Sequence, residues 1–140
     1  GHLVGIDYAE TSVEASRAFN AALIAAGRME ILQGSVESLP FEDGHFDAVV
    51  TVESFYFWPN PEECLKEVAR VVKKGGTFLL LAEIYERNDL PESIREKIAG
   101  YQLTNPTPEE FERLFRAAGF AAVETHFKDG EYWIAVRGVR

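Results

Sequence analysis

The order of apolar and amphipathic segments predicts an α/β domain with one mostly parallel β-sheet, helices on both of its faces and a C-terminal antiparallel hairpin. Short apolar runs alternate with amphipathic stretches that have helix start and stop signals. Near the C-terminus, two apolar runs flank Lys128, Asp129 and Gly130, a turn sequence typical of a hairpin. With 140 residues, 46% of them hydrophobic, the chain is expected to form a single domain, residues 1–140.

The first half of the chain predicts strands at residues 3–6, 29–33 and 46–52. The third is expected to be buried on both faces, because its apolar residues are continuous rather than alternating. A helix is predicted from Thr11, at capping-box spacing from Glu14, to a stop at Gly27. The apolar stripe expected to face the sheet consists of Ala15, Phe19, Ala22, Leu23 and Ala26.

The second half predicts two helices that are marked at both ends. The first has Asn60 as its cap, Pro61 at its first position and Gly75 as a left-handed stop after Lys73 and Lys74. Its buried stripe is Leu65, Val68, Ala69 and Val72.

The second of these helices opens with a capping box, Thr107 and Glu110, and stops at Gly119. Its buried stripe is Phe111, Leu114, Phe115 and Ala118. Strands at residues 77–81, 121–127 and 132–138 and a short helix at residues 91–99 complete the prediction.

Composition limits the partners that we expect. A net charge of −9 and a pI near 4.8 argue against nucleic acid and anionic membranes, since both need a basic face. The three histidines, His2, His45 and His126, lack metal-ligand spacing, so no metal is expected. The one cysteine, Cys64, excludes an intramolecular disulfide and is expected to be a buried thiol. These features predict a soluble domain of the cytoplasm.

Residues 34–81 contain the most specific pattern. Four features occur in order: a polar loop leading to Leu39-Pro40-Phe41, an acidic turn before Phe46-Asp47, an aromatic run ending in Trp58-Pro59, and Lys73-Lys74-Gly75-Gly76 before a strand. This order resembles the middle of a class I S-adenosylmethionine-dependent methyltransferase of the type 11 branch, whose members mostly act on small molecules. The resemblance extends from Gly5-Ile6-Asp7 to the C-terminus. It implies a Rossmann-like fold, S-adenosyl-L-methionine as cofactor and methyl transfer to an unidentified small molecule.

The resemblance also implies the strand order 3-2-1-4-5-7-6. The family's first strand, the helix before it and its glycine-rich cofactor loop have no counterpart in these residues. We therefore expect strands 3–6 and 29–33 to form a pair apart from the other four strands. The exposed sheet edges that result could support a homo-oligomer.

Asp7 and Tyr8 are the first candidates for cofactor binding. An acid at the carboxyl end of a strand can accept hydrogen bonds from both ribose hydroxyls, although Asp7 could equally be a turn residue that starts the helix. Tyr8 would cover one face of the adenine or simply pack. Ser35 replaces the aspartate that the family often has for the adenine amino group, so the backbone of Val36 is expected to make the adenine contact. The alternative is a plain tight turn at Gly34 and Ser35.

The aromatic stretch after strand 46–52 supplies the remaining candidates. The resemblance implies that Glu53 and Ser54 lie beside the sulfonium of the cofactor and that Phe55, Tyr56 and Trp58 form the acceptor site. Glu53 is also the candidate catalytic base, although transfer from a sulfonium depends mainly on alignment. The alternative is that Phe55 and Phe57 are core residues and that Trp58 packs on the next helix.

Two other functions stay open at this point. An NAD(P)-dependent oxidoreductase shares the acidic residue after the second strand of the sheet. A catalytically incomplete module for binding or assembly would fit the missing glycine-rich loop.

Overall fold

A computed structural model describes residues 1–128 and 131–140. Within it the chain divides into two compact units, residues 1–40 and residues 41–140. Asp129 and Gly130, the centre of the predicted hairpin turn, lie outside the described residues.

The first unit consists of β1 (Leu3–Asp7), α1 (Glu10–Phe19), α2 (Ala21–Ala25) and β2 (Met29–Gln33). The two strands are parallel and pair in register from Leu3 with Met29 to Asp7 with Gln33. The Arg17 guanidinium connects α1 to β2, since its Nη2 and Nε donate to the Ile31 carbonyl at 2.7 and 3.0 Å. Both strands therefore confirm the prediction, β1 with one added residue.

The helical part of this unit differs from the prediction. The capping box at Thr11 and Glu14 is wrong, because α1 begins at Glu10 with Ala9 at its cap position and no side-chain cap. The single helix predicted up to Gly27 is two helices, separated at Asn20.

The predicted buried stripe of the first helix is also wrong. Phe19 is 90% exposed and Leu23 is 44% exposed, whereas Val13 is the buried residue of α1. The physical reason is the anchoring by Arg17, which stands four positions after Val13 on the same side of the helix. The face that carries Val13 and Arg17 therefore lies against β2, and the alanine-rich stripe points away from it.

The second unit contains most of the regular structure. Its elements are β3 (Phe46–Val52), a 3-10 turn (Phe55–Phe57), α3 (Pro61–Val71), β4 (Val72–Ala82), α4 (Glu92–Tyr101), α5 (Pro108–Ala118), β5 (Ala122–Phe127) and β6 (Ile134–Val139). Its sheet has the order β3-β4-β6-β5, with β3 parallel to β4 and the other pairs antiparallel. The expected division of the strands into β1-β2 and a group of four is confirmed, as is the antiparallel strand pair at the C-terminus.

An aromatic core holds the second unit together. Phe78 of β4 is fully buried, and its ring lies 5.2 Å from that of Phe115 and 5.7 Å from that of Phe120. The predicted stripe of α3 is confirmed as buried, and so is Cys64. The capping box of α5 is confirmed by reciprocal hydrogen bonds between Thr107 and Glu110.

Two details of the α3 termini are corrected. Asn60 is at the cap position, but its side chain makes no capping hydrogen bond. Gly75 has the expected positive φ of 78°, yet it lies inside β4 and does not end α3, because Val72 is already extended. The Lys73 ammonium group pairs with Asp47 of β3 at 2.7 Å, so it does not serve the C-terminus of α3 as expected.

Burial of β3 on both faces is also wrong, since Val50 and Val52 are 62% and 54% exposed. The physical reason is that Val50 and Val52 lie on the sheet face of their register partners Leu79 and Leu81, which are only half-buried. Val49 pairs with the fully buried Phe78 on the other face. No helix in the described part of the chain is long and apolar enough to cross a membrane.

Candidate functional site

The carboxyl end of β1 presents Asp7 with one carboxylate oxygen already in use. Asp7 Oδ1 accepts the Ala9 N–H at 2.8 Å, which fixes the turn into α1. Asp7 Oδ2 makes no hydrogen bond within the described part of the chain. Tyr8, the next residue, exposes 78% of its surface. Asp7 thus holds the turn that starts α1, the alternative given for it above, and its second carboxylate oxygen is still available.

The end of β2 lies directly beside Asp7. The Gly34 N–H donates to the Asp7 carbonyl at 2.9 Å, so the two strand ends are joined. The Ser35 hydroxyl contacts Glu37 twice, as acceptor from its N–H at 3.2 Å and within 3.3 Å of its Oε2. The Ser35 side chain is therefore engaged locally, and Val36 is half-buried.

The aromatic run after β3 separates into residues with different environments. Phe55 is 1% exposed and packs against Trp58 and Phe111, with ring centroids 5.2 and 5.1 Å apart. Phe57 is 63% exposed, so its expected place in the core is wrong. The ring of Trp58 stacks on Phe78 at 6.5 Å, and Trp58 is half-buried. Tyr56 is also buried, at 8% exposed, so Phe55 and Tyr56 belong to the packed part of the run. Phe57 and Trp58 form its accessible or partly accessible part.

Glu53 lies at the centre of a small hydrogen-bonded group. Its Oε2 accepts the Tyr56 hydroxyl at 2.7 Å, and its Oε1 accepts the Glu83 N–H at 2.6 Å. The Glu53 N–H donates to the Leu81 carbonyl at 3.0 Å. Thr51 and Ser54 join their hydroxyls in a short hydrogen bond next to this group. Glu53 therefore ties the carboxyl end of β3 to that of β4.

The same group changes the acid–base behaviour of Tyr56. Burial, then the hydrogen bond and negative charge of Glu53, and finally the charge of Glu83 raise the pKa of the Tyr56 hydroxyl well above its ordinary value. Tyr56 consequently stays protonated at any physiological pH, and its proton points to Glu53.

The sequence did not reveal how residues 84–106 reach this site. The Thr104 N–H donates to the Tyr56 carbonyl at 3.0 Å, and the Glu86 N–H donates to the Pro106 carbonyl at 2.9 Å. The Asn105 amide donates to Glu86 at 2.6 Å. These contacts join backbone groups and residues that are distant in the sequence, so no local motif predicts them. No cluster of metal-ligating side chains occurs among the described residues.

The sequence profile of the methyltransferase-domain family matches residues 1–80, more than half of the chain. The chain belongs to the class I S-adenosylmethionine-dependent methyltransferases. It is 32% identical to the demethylmenaquinone methyltransferase of Lactococcus lactis over 146 residues, which cover 89% of this chain and 58% of the relative. It is 45% identical to the fatty-acid O-methyltransferase of Mycolicibacterium smegmatis over 64 residues, 46% of this chain and 23% of that protein.

Solved methyltransferase structures share the fold. A chain in the complex between the Haloferax volcanii Trm112 methyltransferase activator and its methyltransferase partner is 25% identical, with a TM-score of 0.84. The similarity covers 99% of our chain and 72% of that chain. Our chain itself spans less than two thirds of the length of the Lactococcus lactis and Mycolicibacterium smegmatis relatives. Family membership disfavours the oxidoreductase alternative.

Proposed function

We propose that this methyltransferase chain contributes the adenosine-binding residues and the acceptor-binding residues of an enzyme that methylates a small molecule. The observation that supports the adenosine part is the geometry of Asp7. Its Oδ1 is used by Ala9 while its Oδ2 is available, so the carboxylate can accept from ribose without losing its turn. The exposed ring of Tyr8 offers an apolar face for a nucleobase.

These residues suit the nucleoside end of S-adenosyl-L-methionine. When bound, that cofactor supplies a methyl group on a sulfonium sulfur, and the acceptor's lone pair bonds to the methyl carbon as the carbon–sulfur bond breaks. Val36 would contribute its backbone N–H, and Ser35 would contribute the turn that presents it. Within the second unit, Glu53 and Ser54 would contact the methyl-bearing group, and Tyr56 and Trp58 would contact the acceptor. Phe55 is left out because its ring is committed to the core.

Binding of S-adenosylhomocysteine to the chain, measured by isothermal titration calorimetry, tests this proposal. Asp7→Asn keeps an acceptor oxygen for the Ala9 N–H but removes the charge, so folding is expected to be unchanged. We expect affinity to fall by about 1–3 kcal/mol, roughly 5- to 150-fold.

Glu10→Gln is the matched control, because Glu10 is an exposed carboxylate in the first turn of α1. It removes the same charge and should leave affinity unchanged. Equal affinities of the parent and Asp7→Asn would refute the ribose role of Asp7. A parent chain that binds no S-adenosylhomocysteine would instead support the alternative of an incomplete module for assembly.

A further inference from the structure

Glu53 has a backbone conformation that its residue type rarely adopts. Its φ is +54°, in the left-handed region, where a non-glycine residue is under strain. Such strain persists only where the surroundings hold the residue, and here three hydrogen bonds do so. Strained residues of this kind concentrate at functional sites. The conformation aims the Glu53 carboxylate at Tyr56 and at the end of β4.

The hydrogen bonds that the Glu53 carboxylate already accepts bear on what role Glu53 can have. Each of its two oxygens already accepts one strong hydrogen bond, from the Tyr56 hydroxyl and from the Glu83 N–H. A base that removes a proton from the acceptor would have to use the second lone pair of an oxygen that one of these contacts already holds in place. A positioning role keeps both of them.

The consequence for Tyr56 follows from hydrogen-bond chemistry. A phenol has one proton to donate, and that of Tyr56 is directed to Glu53, which leaves the lone pairs of its oxygen for a ligand. Those lone pairs can accept a hydrogen bond from an N–H or O–H group. They cannot bind a carboxylate, which has no proton to donate at neutral pH. The neighbouring Glu53 and Glu83 carboxylates repel an anion as well.

We propose that Glu53 is a positioning residue that fixes the Tyr56 hydroxyl as a hydrogen-bond acceptor, and that the methyl acceptor is a neutral or cationic molecule bearing an N–H or O–H group. This inference rests on the proposed function for its reference to a methyl acceptor. It narrows that function to protic amines and alcohols or phenols and excludes free carboxylates.

The first arm of the test follows Tyr56 directly. The chain is labelled with 13C at the tyrosine ring, and the resonances of its five tyrosines are followed against pH, with Tyr56→Phe giving the assignment. Glu53→Gln removes the charge and puts an amide donor where two donors already point, so one contact must be lost. We expect Glu53→Gln to lower the pKa of Tyr56, so that its ring resonance begins to titrate at a lower pH than in the parent chain.

The matched control is Glu83→Gln, which removes a neighbouring charge but retains the backbone N–H that binds Glu53. Its effect on Tyr56 should be clearly smaller than that of Glu53→Gln. An unchanged Tyr56 titration in Glu53→Gln overturns the positioning role. Because Tyr56 is followed without cofactor, this arm is independent of whether S-adenosylhomocysteine binds.

The second arm uses three probes with the same alkyl chain: hexylamine, hexanol and hexanoate. We expect hexylamine and hexanol to shift the Tyr56 resonance in a saturable manner, and hexanoate to leave it in place. The shift caused by hexanol should be lost in Glu53→Gln even where the folded fraction, followed by circular dichroism, is unchanged. A shift with hexanoate as large as that with hexanol, or no shift with any probe, overturns the proposed recognition of protic acceptors.

Discussion

Gly138 of β6 allows a quantitative test of how β6 packs against Phe115 and Phe120 in the second unit. A Cβ atom at this position would lie 2.8 Å from Cδ1 of Phe115 and 2.9 and 3.0 Å from Cγ and Cβ of Phe120. Both rings are almost completely buried, and both also pack on Phe78, which pairs with Gly138 across the sheet. Neither ring can therefore swing into solvent to make room, and Gly138→Ala must displace one of them.

Overpacking of this kind costs about 1–3 kcal/mol in well-packed cores. For a unit of about 100 residues, each kcal/mol lowers the unfolding temperature by roughly 4 °C. We therefore expect Gly138→Ala to unfold about 4–12 °C below the parent chain. The measurement is thermal unfolding followed by circular dichroism, repeated in urea to obtain the change in free energy.

Gly100→Ala is the matched control, because Gly100 lies in α4 and an added Cβ meets no atom within 4 Å. This variant should be as stable as the parent or up to about 1 kcal/mol more stable, since alanine favours a helix. Adding Phe115→Leu to Gly138→Ala should cost less than the sum of the two single changes, because the smaller side chain makes room. An unfolding temperature of Gly138→Ala equal to that of the parent would refute this account of the core.

Three further predictions concern single side chains. Thr107→Ala removes the observed capping box of α5 and should cost about 1 kcal/mol in urea unfolding, whereas Thr11→Ala, where no cap forms, should stay within about 0.5 kcal/mol. Lys73 lowers the pKa of Asp47, so any stability from this pair is present above pH of about 4 and is lost as pH falls through the lowered pKa. Lys73→Met should move the Asp47 titration, followed by NMR, up toward its ordinary value. Val50→Lys should reduce self-association in light scattering, because a charge on an exposed edge strand opposes edge pairing; an unchanged particle size would contradict the edge as the contact.

The sequence predicted the elements well where breakers and caps bound them. The bounds of β2 and β3 match residue for residue, and Thr107 and Gly119 mark the ends of α5 as expected. It failed on the orientation of α1, where apolar residues occur on more than one side. The deciding contact there is that of Arg17 with a carbonyl of β2, and a long-range bond to the backbone leaves no periodic signal.

The candidate site shows a similar limit. The sequence singled out Glu53 and Tyr56 because they follow a strand at the carboxyl edge of the sheet. It could not show how Glu53 is linked to β4, because that partner is the backbone N–H of Glu83, thirty positions away, which any residue type except proline would supply. A positive φ at a glutamate also has no compositional marker.

The contrast between β3 and β4 shows what an apolar run does and does not determine. Both strands have continuous apolar stretches, and both were predicted as strands. In β4, Phe78, Leu80 and Ala82 are completely buried, whereas in β3 Val50 and Val52 are largely exposed. Val50 and Val52 pair with Leu79 and Leu81, which are half-buried, and so lie on the opposite sheet face from Phe78 and Leu80. The difference therefore comes from which face of the sheet is covered. An apolar run therefore identifies the strand, but which of its two faces is covered is set by the tertiary packing and leaves no mark in the run itself.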